Sequence, residues 1–222
     1  MALKETERLK NEAKLANDSS FFAQDKTFIS FLNARSLRKH QKDIQNDPEL
    51  MKSSIIGIAE TNLHENEEIH IDGFEGTFVN GGKGKGVAAF VKIPVINTVK
   101  IMRPTFSVIV LEFEKMIIGF AYMSKQANID DIKNYITPLI QEKLKPMVIM
   151  GDMNYHFSHV KNQQMKSFFE NFGFHQLIEK ATHDEGHIID HIYVSDLKIL
   201  SKENVFLKSL YFSDHDALCV RL

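Results

Sequence analysis

The chain has 222 residues, 43% hydrophobic and 25% charged, with few Gly and Pro; this supports one large domain with a sizeable core and excludes a disordered or fibrous chain. A formal net charge of −2 confines any nucleic-acid binding to a local basic patch, and the single Cys219 excludes an internal disulfide framework and a Cys-based zinc ribbon. No apolar run reaches the length of a membrane span and the first residues are too charged for a secretory signal, so the expectation is a soluble, intracellular protein from a reducing compartment, with no membrane partner.

Residues 1–18 are polar and rich in helix formers. They read as a solvated helix or frayed extension, and residues 1–26 are set apart from a single domain over 27–222. Thr27–Leu32 is β-rich and apolar and ends at Asn33. Ser36 then caps a short basic helix. Ser54–Ala59 is a second apolar strand, running into Glu60, Thr61 and Asn62. Phe74–Asn80 and Val87–Lys92 flank the cluster Gly81-Gly-Lys-Gly-Lys-Gly86. That cluster has no phosphate-loop spacing and reads as a hairpin with Lys83 and Lys85 free to touch a phosphate. Asn97–Met102, Ser107–Phe113 and Met116–Tyr122 follow as strands, the last two joined by a tight turn at Glu114-Lys115.

Ile129–Leu144 has helical apolar spacing, with Pro138 inside it. Met147–Met150 is a short apolar run ended by Gly151, a buried strand that opens into Asp152 and Asn154. Residues i and i+2 of an extended segment point the same way, so these two converge on one spot. Gln163–Phe172 is a further amphipathic helix stopped by Gly173. Ile188–Val194 is a strand with Asp190 in its middle and His191 facing the other way. Val205–Phe212 and Ala217–Leu222 read as strands around Ser213-Asp-His215. Many strands and few, long helices indicate two sheets flanked by helices.

Asn33, Glu60, Tyr122, Asp152, Asn154, Asp190, Asp214 and His215 all sit at or in apolar strands. Polar groups there cost desolvation unless paired or metal-bound. Glu60, Asn33 and Asp214 are hard oxygen donors that suit Mg²⁺, with Mn²⁺ as a substitute. Asp152 and Asn154 could hold and deprotonate a water, and His215, partnered by Asp190, could donate to an oxyanion. Together these groups suit hydrolysis of a phosphate ester. Contiguous Ser213-Asp-His215 cannot form a nucleophilic triad. His183, His187 and His191 have the spacing of a zinc stripe on a helix, but Gly186 and the β-branched run after it argue for loop and strand instead.

The blocks LNARSL, IAETNL, GKGVAAFV, GDMN, THDEGHIIDHIYVS and FSDHDAL, in that order, resemble the endonuclease/exonuclease/phosphatase superfamily. They look most like the endonuclease domains of mobile elements, non-LTR retrotransposon or helitron type, beside apurinic/apyrimidinic endonucleases. The resemblance covers roughly residues 27–222. It implies an α/β fold, a four-layer αββα sandwich of two packed sheets flanked by helices, and one divalent metal. Glu60 would be its main ligand, with Asn33 and Asp214 near it. Asp152 would orient or deprotonate the attacking water, Asn154 would hold a phosphate oxygen, and His215, oriented by Asp190, would hydrogen-bond the scissile phosphate beside Tyr122. Where the apurinic-site enzymes carry an Asp, this chain has Arg35, which places a cation within reach of DNA.

The expected activity is Mg²⁺-dependent nicking of DNA to leave a 3′-hydroxyl, by a domain that is monomeric in isolation and nuclear by virtue of its substrate. Arg35, Lys83, Lys85, His156 and Thr182 are candidate substrate contacts. One alternative is a phosphatase of the same fold acting on a phosphoinositide or small phosphate monoester. The absence of a Trp-Cys-Asp-Arg block argues against it. The other is a non-catalytic nucleic-acid-binding module, which would have no need of these carboxylates.

Overall fold

A computed structural model describes residues 27–141, 144–155 and 160–222. The expected extension over 1–26 and the candidate contact His156 lie outside the described residues.

The strands are β1 (Phe28–Asn33), β2 (Ile55–Ala59), β3 (Glu75–Val79), β4 (Val87–Val91), β5 (Asn97–Met102), β6 (Phe106–Glu112), β7 (Ile117–Met123), β8 (Met147–Asp152), β9 (His175–Gln176), β10 (Asp190–Val194), β11 (Val205–Lys208) and β12 (Ala217–Arg221). The helices are α1 (Leu37–Asn46), α2 (Ile129–Gln141) and α3 (Val160–Asn171). One six-stranded sheet has the order β11-β12-β1-β2-β4-β3 and the other β5-β6-β7-β8-β10-β9. Each is mixed: β1–β2 and β7–β8 run parallel, and the remaining pairs are antiparallel.

Three apolar clusters make the layers. Ile29, Phe31 and Ile55 of the first sheet meet Phe120, Val148, Met150 and Ile192 of the second between the sheets. Leu37 and Ile44 of α1 cover the far face of the first sheet through Ile56, Ile58 and Phe90. Ile132, Ile136 and Ile140 of α2 join Phe168 and Phe169 of α3 on the far face of the second. The result is the four-layer αββα sandwich. Strands buried on both faces read as continuous apolar runs, which is why Ser54–Ala59 and Met147–Met150 were recognisable. Ser36 caps α1, its hydroxyl accepting from the Lys39 N–H at 3.4 Å.

Several boundaries differ from the expectation. The strand expected over Val205–Phe212 stops at Lys208. Asp190 is the first residue of β10, not its middle. Helix α3 starts at Val160, three residues early. Each difference falls at an element end, where apolar periodicity carries little information.

The two sheets approach closely at Gly57, where an added Cβ would lie 2.2 Å from the Phe120 ring. Phe120 is buried and stacks on Phe31 at 6.1 Å, so it has little room to yield. Gly57→Ala is expected to lower unfolding stability by about 1–3 kcal/mol through overpacking, read as a shift in urea midpoint at constant slope.

Candidate active site

Strand parity gathers the site. Phe31, Phe120, Met150 and Ile192 face the space between the sheets, so residues two further along β1, β7 and β8, and two earlier on β10, face it too. Those residues are Asn33, Tyr122, Asp152 and Asp190. The ends of the parallel pairs and the start of antiparallel β10 coincide at one edge. Asp152 is in register with Tyr122 on one side and with Asp190 on the other. Asp214 and His215, just before β12, come to the same edge because β12 pairs antiparallel with β1.

Asp152 is fully buried. Its Oδ2 accepts from Asn33 Nδ2 at 2.8 Å and from Asn154 Nδ2 at 3.2 Å, and its Oδ1 accepts from the Asn154 N–H at 2.8 Å. Burial pushes this carboxyl well above the usual range and the Asp190 charge adds to it, while His215 and the bonds from Asn154 and Asn33 oppose the shift. Asp190 is also buried, and its Oδ2 lies 2.9 Å from His215 Nδ1. Burial disfavours the charged imidazole. The Asp190 bond and charge, followed by the charges of Asp152 and Asp214, more than offset this and raise His215 to about 9. The ring thus holds its proton more firmly than a free imidazole. Burial, the charges of Glu60 and Asp152, and a hydrogen bond with Glu60 raise the Tyr122 phenol, which stays protonated.

The floor opens into a pocket of about 550 Å³ lined by Arg35, Glu60, Tyr122, Asn154, Asp214 and His215, with further residues around them. Arg35, Glu60, Asn62 and Asn154 all have positive φ, between 48° and 57°. Such backbone is uncommon outside glycine and concentrates at functional sites. The loop carrying Glu60 is clamped by the glycine hairpin: the Asn62 N–H donates to the Lys85 carbonyl at 3.1 Å, and Asn62 Oδ1 accepts from the Gly84 N–H. At Gly86, with φ +93°, a Cβ would lie 2.4 Å from Thr61 Oγ1, so only glycine lets the hairpin sit this close.

The candidate residues thus divide. Glu60, Tyr122, Asn154, Asp214, His215 and Arg35 line the pocket, and Asp152 and Asp190 lie buried beside them. Asn33 is buried with both amide ends engaged: Nδ2 on Asp152, and Oδ1 accepting from the Arg35 N–H at 2.9 Å. It holds the acid rather than facing open space. Lys83 and Lys85 stand on the flanking hairpin, outside the pocket lining. Thr182 is fully buried, which corrects the expectation of a substrate contact. Its Oγ1 accepts from the N–H groups of Ile189 and Asp190 at 3.2 and 3.1 Å and so braces the start of β10.

Ser124, Lys125 and Gln126 also line the pocket. Sequence reasoning passed over them, and the polar run after β7 was the available signal. His183 is there too, its Nε2 3.5 Å from Asp214 Oδ2 and its ring 4.9 Å from that of His215. The helical histidine stripe does not form. His183, which bridges to His215, and His187 flank a turn, whereas His191 is buried in β10. Burial lowers His191 to about 4. Between pH 6.5 and 4 the unfolded chain takes up a proton there that the native chain does not, so the contribution of His191 to stability falls with acidification across that window, against the opposite contribution of the raised Asp152. The loss is expected to reach about 3 kcal/mol, and His191→Phe should flatten it, as measured by urea midpoints at pH 7, 5.5 and 4.5.

The donors fit a divalent cation. Among the described residues, Asp214 Oδ1 and Asp190 Oδ1 are buried without a hydrogen-bond partner. Asp214 groups with His183 and His215, and Asp152 with Asp190 and His215, each set having ligand atoms within 4.8 Å of one another. Glu60 lines the same pocket but belongs to neither group. Carboxylate oxygens beside imidazole nitrogens suit a divalent cation.

Fold and site together define a two-sheet α/β sandwich with an acidic site at the strand ends. The chain belongs to the Endonuclease/Exonuclease/phosphatase family, whose profile matches residues 30–215. Enzymes of this family hydrolyse phosphodiester or phosphate-ester bonds and use divalent metals. No curated protein matches the chain significantly. Among solved structures, the fold is shared with an AP endonuclease from Archaeoglobus fulgidus, at 17% identity and TM-score 0.68 over 88% of this chain and 98% of that one. It is shared with the endonuclease domain of TRAS1, a telomere-specific non-LTR retrotransposon, at 13% identity and TM-score 0.65 over 89% and 98%. The 3′ phosphatase NExo from Neisseria, bound to a product DNA hairpin, aligns at 14% identity and TM-score 0.68 over 87% and 98%. Among the described residues, no helix is long and apolar enough to cross a membrane.

Proposed function

We propose that the chain is a divalent-cation-dependent DNA endonuclease that nicks a phosphodiester to leave a 3′-hydroxyl, and that it comes from a mobile-element protein. Residues 27–222 form its catalytic domain, monomeric in isolation, residues 1–26 are an appended extension, and its substrate places it in the nucleus. The carrying observation is the pairing of two buried acids with different partners: Asp152 with two amides, Asp190 with His215. Neighbouring acids held by different partners can take different chemical roles.

Asp152, in the ionised form that the Asn33 and Asn154 hydrogen bonds favour, takes a proton from the attacking water. Asn154 holds a phosphate oxygen through its side-chain amide. His215 donates a charged hydrogen bond to the scissile phosphate, and Asp190 fixes its ring through Nδ1. Tyr122 donates to the same phosphate from its protonated hydroxyl. Asn33 and Thr182 are positioning residues, holding Asp152 and the start of β10. A divalent cation at Glu60 and Asp214, when bound, would neutralise charge on the phosphate.

The test is supercoiled plasmid with Mg²⁺ or with chelator, followed by labelling of the new ends. Nicking that needs the metal and leaves ends a polymerase can extend is the expected result. Nicking unaffected by chelator would sink the reading. Release of inorganic phosphate from a phosphoinositide without nicking would assign the site to a monoester instead.

A further inference from the structure

Arg35 adopts a left-handed conformation, φ +53°, that its residue type does not favour. Neighbouring amides impose it. Its N–H donates to Asn33 Oδ1 at 2.9 Å, and its carbonyl accepts from Asn62 Nδ2. The backbone is pinned on both sides, and the side chain is thereby aimed at the pocket, where Nη1 lies 2.8 Å from Asp214 Oδ2. Asp214 then carries Arg35 and His183 on one oxygen, while the other has His215 Nε2 at 3.9 Å and, among the described residues, no hydrogen bond.

Asp214 is also a carboxylate that the cation proposed above requires, and the inference rests on that reading of Glu60 and Asp214. Two positive centres on one carboxylate repel each other, so guanidinium and metal compete. The competition is easily reversed. The Arg35 side chain is 60% exposed and that of Asp214 30%, and exposed ion pairs are weak. A guanidinium leaving Asp214 has a matching acceptor at hand, because its planar fork fits a phosphate bidentately. We infer that Arg35 is an internal counter-ion for Asp214, displaced by the divalent cation and then placed on a phosphate of the DNA strand. Metal and DNA binding are therefore coupled through one side chain, each favouring the other.

Mn²⁺ binding to the full chain, followed by the paramagnetic resonance of the free ion, tests the first half. Arg35→Gln is expected to bind Mn²⁺ roughly two- to fivefold more tightly than the unaltered protein, and Glu60→Gln to lose the site. Unchanged or weaker binding by Arg35→Gln, with Glu60→Gln still losing it, overturns the inference and leaves the metal-site reading standing. Binding by Glu60→Gln equal to the unaltered protein overturns the metal-site reading itself.

A duplex oligonucleotide of mixed sequence tests the second half, in an Asp152→Asn background that leaves it uncut. Mg²⁺ is expected to tighten DNA binding there, and adding Arg35→Gln to remove most of the gain. An equal Mg²⁺ gain with and without Arg35 overturns the coupling. Thermal melts of each variant confirm the fold, which an exposed side chain should not disturb.

Discussion

Asp152→Asn is expected to lower the nicking rate by roughly 10²–10⁴-fold, the range for loss of a positioned general base. The substitution keeps the volume and removes the proton acceptor. Its effect on the fold should be small, because two changes oppose each other. An amide in place of the carboxylate ends the burial of an acid pushed up by desolvation. However, three N–H donors converge on that carboxylate, from Asn33, the Asn154 backbone and the Asn154 side chain. One amide oxygen cannot accept on both sides, so a donor is left facing a donor, at about 1–3 kcal/mol. The net change in unfolding stability is expected to stay below about 2 kcal/mol. Plasmid nicking and urea unfolding on the same preparation separate the two effects. A variant that nicks within tenfold of the unaltered rate would remove Asp152 from the chemistry.

Asp190→Asn is expected to act through His215. The carboxylate accepts from Nδ1 at 2.9 Å, with His215 7% and Asp190 1% exposed. That bond and charge keep the imidazolium against burial, at about 9. The folded value lies above the unfolded value of about 6.5. The native state therefore holds an extra proton between the two. The pair's stabilisation is fully present below pH 6.5 and is lost as pH rises through 9. In chelator, the unaltered protein should lose about 3 kcal/mol across that window. Asp190→Asn leaves an oxygen that orients the ring but no charge to hold the proton. Its stability should be flatter from pH 6.5 to 9, and the alkaline limb of its nicking profile should move to lower pH. An unmoved limb with an unchanged slope would show that Asp190 does not govern His215.

Much of the site was legible because the polar residues break apolar runs. Asp152 after Met147–Met150 and Glu60 after Ser54–Ala59 stand out for that reason. Asn33, Tyr122 and Asp190 also share the parity of core residues, so the pleat alone fixes their direction. Asp190 was legible as the partner of His215, but the other pairings were not. Asn33 meets Asp152 across 119 positions and Arg35 meets Asp214 across 179, and no local pattern encodes a meeting at that distance. Thr182 looked like a loop hydroxyl free for substrate. It is buried because the loop folds back, with the Asp216 N–H on its own carbonyl at 2.8 Å. The histidines at four-residue spacing were read correctly, because Gly186 and the β-branched run after it point to the loop and strand that form.

Residue order alone carried the two-sheet sandwich, the strands that end in acids and the set of groups suited to phosphate-ester hydrolysis. It could do so because burial writes periodicity into a chain and desolvation makes a polar residue in a core strand conspicuous. Folding in three dimensions was needed to show that Asp152 is held by the amides of Asn33 and Asn154, and that the cation at position 35 rests on Asp214. Those properties come from sheet order and strand register, and from the low-dielectric space the two sheets enclose, which together set distances and proton affinities between residues far apart in the chain.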